Sequence, residues 1–213
     1  MYIHNFEAFI VAITILTLTP GLDTALVIRN TSRAGLKDGC VTSFGICSGL
    51  FVHAMCSAIG VSAILAQSAY WFQVVKWVGA AYLIWLGFKS LKTLFSHQVD
   101  TMQVDSVHTS HHNFNVRRSL QEGFLSNVLN PKTAVFYLAF LPQFINPQHS
   151  AVLQSLFMAG LHFLIAMIWQ CSVSGLLNKA KHLLKSVKFT RWMEGTTGSV
   201  LIALGVKLMI ESR

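Results

Sequence analysis

Charge is what this sequence of 213 residues has least of: Asp, Glu, Lys and Arg make up 11% of it, and the acids number only 8, where soluble domains carry about 25% charged residues. That scarcity excludes an ordinary soluble domain. Proline is also sparse, at 4, while aromatic residues reach 11%, so the chain is neither low-complexity nor disordered. Cysteine occurs at Cys40, Cys47, Cys56 and Cys171 without a CxxC pair. The spacing indicates neither a disulfide framework nor a zinc site, and the thiols read as small buried apolar residues. There is no phosphate-cradling glycine loop, nucleophile elbow or metalloprotease helix motif. An ATP-driven pump, a hydrolase and a cofactor-dependent enzyme therefore lack support.

What the chain has in quantity is apolar surface, with 53% hydrophobic residues and a mean hydropathy of +0.54. The stretches 39–75 and 133–178 contain no Asp, Glu, Lys or Arg, and each exceeds the ~20 residues that carry a helix across a bilayer. Apolar windows give six spans, at 6–28, 41–66, 69–91, 123–145, 151–177 and 192–210. The fold class that follows is an all-α polytopic membrane protein. It forms one transmembrane domain over 1–213, with halves of about 1–95 and 119–213. The first stretch has no basic flank and runs into Pro20-Gly21 instead of a small-residue cleavage site, so it is expected to stay as the first span.

The net charge is +8, and its placement decides its meaning. Twelve of the 16 basic residues fall on three connections: Arg29, Arg33 and Lys37 on the first; Lys89, Lys92, Arg117 and Arg118 on the third; Lys179, Lys181, Lys185, Lys188 and Arg191 on the fifth. This is the asymmetry of the positive-inside rule. Odd-numbered connections are expected in the cytoplasm, both termini outside, and nucleic acid is not an expected partner. The third connection, 96–118, carries His97, His108, His111 and His112 among Ser, Thr and Asn. A solvated linker is the plain reading; metal binding, and with it divalent-metal efflux, is the alternative. Tyr70, Trp71, Trp77 and Trp192 suit interface anchors.

The two halves resemble each other. Pro20 followed by Thr24-Ala25 matches Pro131 followed by Thr133-Ala134, Gly49-Leu50 matches Gly160-Leu161, and Leu83 to Lys89 matches Leu201 to Lys207, at offsets of 111, 111 and 118. Three spans per half is an odd number, so the second copy enters the membrane from the opposite face. The result is a 3+3 inverted repeat, a common plan of secondary transporters.

A proline inside a span breaks the helix and frees backbone groups that lipid cannot satisfy. Pro20-Gly21 lies nine residues before Arg29, and Pro131 lies nine after Glu122, so at 1.5 Å per residue both breaks stand about 13 Å from one membrane edge. Spans one and four are thus expected to be broken helices at one depth. Asp23 and Lys132 sit beside the breaks. An ionisable group at a helix centre costs ~2.5–3.5 kcal/mol on insertion scales, so these two should face a cavity or each other. Opposite charges at one depth suit a zwitterion, its carboxylate at Lys132 and a helix N-terminus and its ammonium at Asp23; a purely structural ion pair is the alternative. The candidate substrate-binding set is Pro20, Gly21, Asp23, Thr24, Asn127, Asn130, Pro131 and Lys132. For proton coupling the candidates are Asp23 and His53, the latter on a stripe with Gly45, Gly49 and Gly60. Were His53 and His162 to face a common cavity, a membrane haem redox protein would be a further alternative.

Over essentially its whole length the chain resembles the amino-acid exporters of the lysine exporter and homoserine/threonine resistance type (LysE/RhtB). The resemblance is carried by Thr19-Pro20-Gly21-Leu22-Asp23-Thr24, by Gly45 through Gly49 to His53, by Trp77 to Leu83 with Trp85-Leu86-Gly87, and in the second half by Gly123-Phe124, Asn127, Asn130-Pro131-Lys132 and Phe140 to Phe144. It implies efflux of small amino acids or their derivatives, of the homoserine, threonine, leucine or basic type, from the bacterial cytoplasm across the inner membrane in exchange for protons. The implied partners are the amino acid and membrane lipid, with a homo-oligomer allowed. Family members often carry a second proline where this chain has Leu22.

Overall fold

The computed structural model describes residues 5–19, 21–67, 69–95, 113–146, 148–177 and 186–210, and among these it is all-helical, without a strand. The helices are α1 (Phe6–Leu18), α2 (Leu22–Ala34), α3 (Leu36–Gln67), α4 (Ala69–Phe95), α5 (Val116–Val128), α6 (Pro131–Phe140), a short 3-10 turn at Leu141–Phe144, α7 (Ala151–Gly175) and α8 (Val187–Ile210). Several starts are written locally. The side chains of Asn115, Asn130 and Ser150 accept hydrogen bonds from the backbone N–H of Arg118, Lys132 and Leu153, and Pro131 fills the first position of α6, where no N–H is needed.

Helix extends further than the apolar windows on the basic side. Gly35, with φ of +86°, passes the chain directly from α2 into α3, and α5 starts at Val116 instead of within a linker reaching 118. Hydropathy sees only the lipid-facing part of a helix. The added turns are polar because they form ion pairs with one another.

α3 from Leu36 to Gly60 and α7 from Ala151 to Gly175 are each long and apolar enough to cross a membrane, and α1 with α2, bent by 48°, qualifies as one further crossing. α4 and α8, of 27 and 24 residues, interrupt their apolar runs with Lys76 and Lys89 and with Glu194 and Lys207. α3 packs against α5 and α7 and also meets α2, α4 and α6, while α4 lies along α8. Two glycine pairs permit close approaches between helix backbones. A Cβ at Gly45 or at Gly123 would collide with backbone carbonyls of the facing helix, at Leu120 and Thr42, and one at Gly87 or Gly198 would stand 2.7 Å from the other's carbonyl oxygen. A buried apolar cluster including Phe9, Ile13, Tyr137, Phe140, Leu141 and Met158 lies on one side of the breaks. Ile59, Leu153, Leu164, Ile168 and Ile210 are exposed, as suits helices whose outer solvent is lipid. The reading of all four cysteines as buried needs correction: Cys47 is buried, Cys40 and Cys171 are intermediate, and Cys56 is exposed. A thiol is apolar enough to stand on an outward helix face.

Candidate functional site

The chain leaves α1 at Leu18 and resumes helix at Leu22. Proline at 20 supplies no N–H to the carbonyl four residues back, that of Leu16. Pro20 itself lies outside the described residues, but the Leu16 carbonyl does not go without a donor: the Lys132 ammonium stands 3.4 Å from it and 3.4 Å from the Thr19 carbonyl. The second interruption, between Val128 and Pro131, has the same logic. Pro131 leaves the Asn127 carbonyl without its helical donor, and that oxygen accepts from the Asn130 N–H at 2.9 Å and from His53 Nε2 at 3.0 Å. Each orphaned carbonyl is therefore met by a side chain from the other half of the chain.

Asp23, in the first turn of α2, accepts hydrogen bonds from Ser126 Oγ at 2.9 Å, Asn127 Nδ2 at 3.0 Å and Asn130 Nδ2 at 3.2 Å. Asn130 simultaneously caps α6 through the Lys132 N–H. Gly21, Asp23, Thr24, Asn127, Asn130 and Lys132 all line one cavity of about 50 Å³, walled further by Leu16, Ile46 and Leu50 and by His162, Ala166 and Gln170 of α7. Pro131 sets the start of α6 and does not line it. The helix start after Gly21 and the one after Asn130 both border this cavity, so the positive ends of two helix dipoles lie beside Asp23 and Lys132.

His53 is buried against α5, beside Gly49, where a Cβ would come within 2.7 Å of Asn127 Oδ1. It is not among the cavity-lining residues. Gly60, expected on the same stripe, faces open space with no atom within 4 Å of a built Cβ: the helix projects past its partner by that point. His162 lines the cavity instead. Its Nε2 meets Thr17 Oγ1 at 3.1 Å, its Nδ1 meets the Tyr137 hydroxyl at 3.0 Å, and its ring stacks on Tyr137 with centroids 5.8 Å apart. Tyr137 also neighbours His53, at 5.9 Å. Both nitrogens of His162 are thus engaged in hydrogen bonds, which is poor preparation for an iron ligand. Among the described residues no group of three or more His, Cys, Asp and Glu is placed to hold a metal; His97, His108, His111 and His112 lie outside them.

Sequence reasoning missed Thr17, Ser126, Tyr137 and Gln170 at this site. The one available signal was the spacing of His162, Ala166 and Gln170, four apart on one face of α7. It also missed an ionic cluster on the basic side. Glu122 accepts from Arg29, Asn30, Arg33 and Arg118, and Arg33 also grips Asp38, which accepts from Ser119. Partial burial would raise the Glu122 carboxyl, but the hydrogen bonds from Arg118 and Asn30 and the charges of Arg33 and Arg29 outweigh it and hold it at about 2.

A family model described as LysE type translocator matches residues 14–212. The membrane protein YrhP of Bacillus subtilis is 34% identical over 206 residues, 96% of this chain and 98% of its own length. A homoserine/homoserine lactone efflux protein of Salmonella typhi is 26% identical over 201 residues, 94% of each chain. A leucine efflux protein of Klebsiella pneumoniae is 26% identical over 200 residues, 94% of this chain and 90% of its own. No solved structure matches. Since the family match encloses both helix interruptions and every residue around the cavity, the chain belongs to the LysE type translocator family.

Proposed function

We propose that this protein is a secondary transporter that exports small amino acids from the bacterial cytoplasm in exchange for protons, with Asp23 receiving the substrate ammonium and Lys132 its carboxylate. The observation that carries the reading is that an acid and a base on separate helix starts line one cavity, in a family whose relatives are named homoserine and leucine efflux proteins. The positive end of the α6 dipole, at the helix start beside Lys132, adds to it as a carboxylate site. At Asp23 a proton and an ammonium are competing cations, which is the minimum an exchanger needs. His53 is the second candidate for the proton. The cavity volume of about 50 Å³ admits only a few waters, so an amino acid requires the helices to part, as alternating access demands.

The architecture we infer is six crossings in two inverted halves, the α1–α2 and α5–α6 pairs each forming one broken span. Packing supports it by its reciprocity. α3 meets α5 and α6 as α7 meets α1 and α2, and α3–α7 and α4–α8 pair with their own counterparts. At about 1.5 Å per residue α4 and α8 exceed the ~30 Å hydrocarbon core. The test of function is direct: proteoliposomes preloaded with a labelled amino acid should release it faster when a proton gradient is directed inward. Release unchanged on collapsing that gradient removes proton coupling, and no release of any amino acid removes the export reading.

A further inference from the structure

We infer that Gln170 reads the substrate side chain and selects amino acids that carry a hydroxyl. The inference rests on the export reading above and goes beyond it to a residue and a substrate class. Gln170 is 6% exposed and lines the same cavity as Asp23 and Lys132, yet its Oε1 is buried with no hydrogen-bond partner. Most of its polar neighbours on the cavity wall are otherwise committed, the Thr24 and Thr133 hydroxyls excepted. Both nitrogens of His162 are used, the Asp23 carboxylate holds three donors, and Thr19 Oγ1 meets Ile15 and Thr197. The other orphan oxygen on the wall, Asn127 Oδ1, is turned toward Gly49 of α3.

Position agrees with chemistry. Ser174, one helical turn beyond Gln170, is bonded to Thr31 of α2, two turns beyond Asp23. At 1.5 Å per residue this sets Gln170 about 6 Å back along α7 from that contact, toward the Asp23 level and on the basic side of the cavity. With ammonium and carboxylate assigned to Asp23 and Lys132, the group that remains to meet Gln170 is the side chain. An unpaired buried acceptor is a standing penalty that a substrate hydroxyl relieves and a methyl of the same size does not. A site built to bond a hydroxyl rejects the isostere that lacks it.

Homoserine and norvaline are the matched probes, differing by hydroxyl against methyl. In proteoliposomes the parental protein should carry homoserine at least about tenfold faster than norvaline at low concentration. Gln170→Leu should bring the ratio toward one by lowering homoserine flux more than norvaline flux, a selective change that lost packing would not produce. Gln170→Asn, which keeps the amide but withdraws it by one methylene, should fall between the two and serves where the leucine variant fails to insert. A parental ratio near one, a ratio unchanged in both variants, or a parental protein that carries other amino acids and neither probe overturns the assignment of Gln170. A parental protein that exports no amino acid at all overturns the export reading itself.

Discussion

Asp23 holds its three donors through a carboxylate that could be replaced by an amide of the same shape, and that makes it the residue at which charge and hydrogen bonding can be separated. Asp23→Asn keeps one acceptor for Ser126 or Asn127 but removes the negative charge, so transport should fall at least a hundredfold while the amount of protein in the membrane stays at the parental level. Parental transport with unaltered pH dependence would make Asp23 structural and move the search to His53. Lys132→Ala removes a cation and also uncovers the Leu16 and Thr19 carbonyls, so apparent affinity should drop by about tenfold or more. Supplying the amino acid as its amide, which lacks the carboxylate, should show no such loss between parent and variant. Asp23 and Lys132 were legible in the sequence because charge stands out in an apolar run. Gln170, Ser126 and Tyr137 were not, since uncharged polar side chains are scattered through every span and only the folded packing shows which of them line the cavity or bond the residues that do.

The helices themselves were legible as apolar windows, each of which falls on one of the described helices or helix pairs. Their polar extensions were not, because Glu122 of α5 is tied to Arg29 and Arg33 of α2, partners distant in sequence, and only the Arg118–Glu122 pair is local. Two predictions belong to this scale. Gly45→Leu places a side chain where α3 meets the Leu120 carbonyl of α5; the helices must separate, and detergent thermal stability should fall by about 2 kcal/mol or more, whereas Gly60→Leu, facing open space, should cost little. Glu122→Gln should destabilise by about 1–3 kcal/mol at neutral pH, since a hub accepting from three arginines loses its charge. The folded carboxyl stands at about 2 against an ordinary 4.5, so it binds its proton less readily folded than unfolded. Its contribution is complete above pH 4.5 and lost as pH falls to 2. The gap between parent and variant should close over that window; a gap constant with pH would mean that Glu122 acts by shape and not by charge.

At the scale of the whole molecule the proposed two-half arrangement has a mechanical consequence. Lys132 covers the Leu16 carbonyl and His53 the Asn127 carbonyl, so a relative rocking of the halves would disturb both helix interruptions and the cavity beside them together. A transporter that moves this way by exchanging one proton inward for one zwitterion outward carries net charge, because the zwitterion contributes none. One charge across a potential is worth about 2.3 kcal/mol per 100 mV, and at 1.36 kcal/mol per decade that sustains an amino-acid gradient of roughly fiftyfold. Proteoliposomes clamped at an interior-negative 100 mV by a potassium diffusion potential, with no pH difference, should therefore extrude amino acid until the outside exceeds the inside by a factor approaching that value. The experiment is indifferent to the orientation of the reconstituted protein, since a coupled equilibrium does not depend on which face leads. A gradient that ignores the potential but follows pH would fix the exchange as electroneutral, with the transported form of the amino acid a cation, and Lys132 would then have to serve the fold at the first helix break and not the substrate.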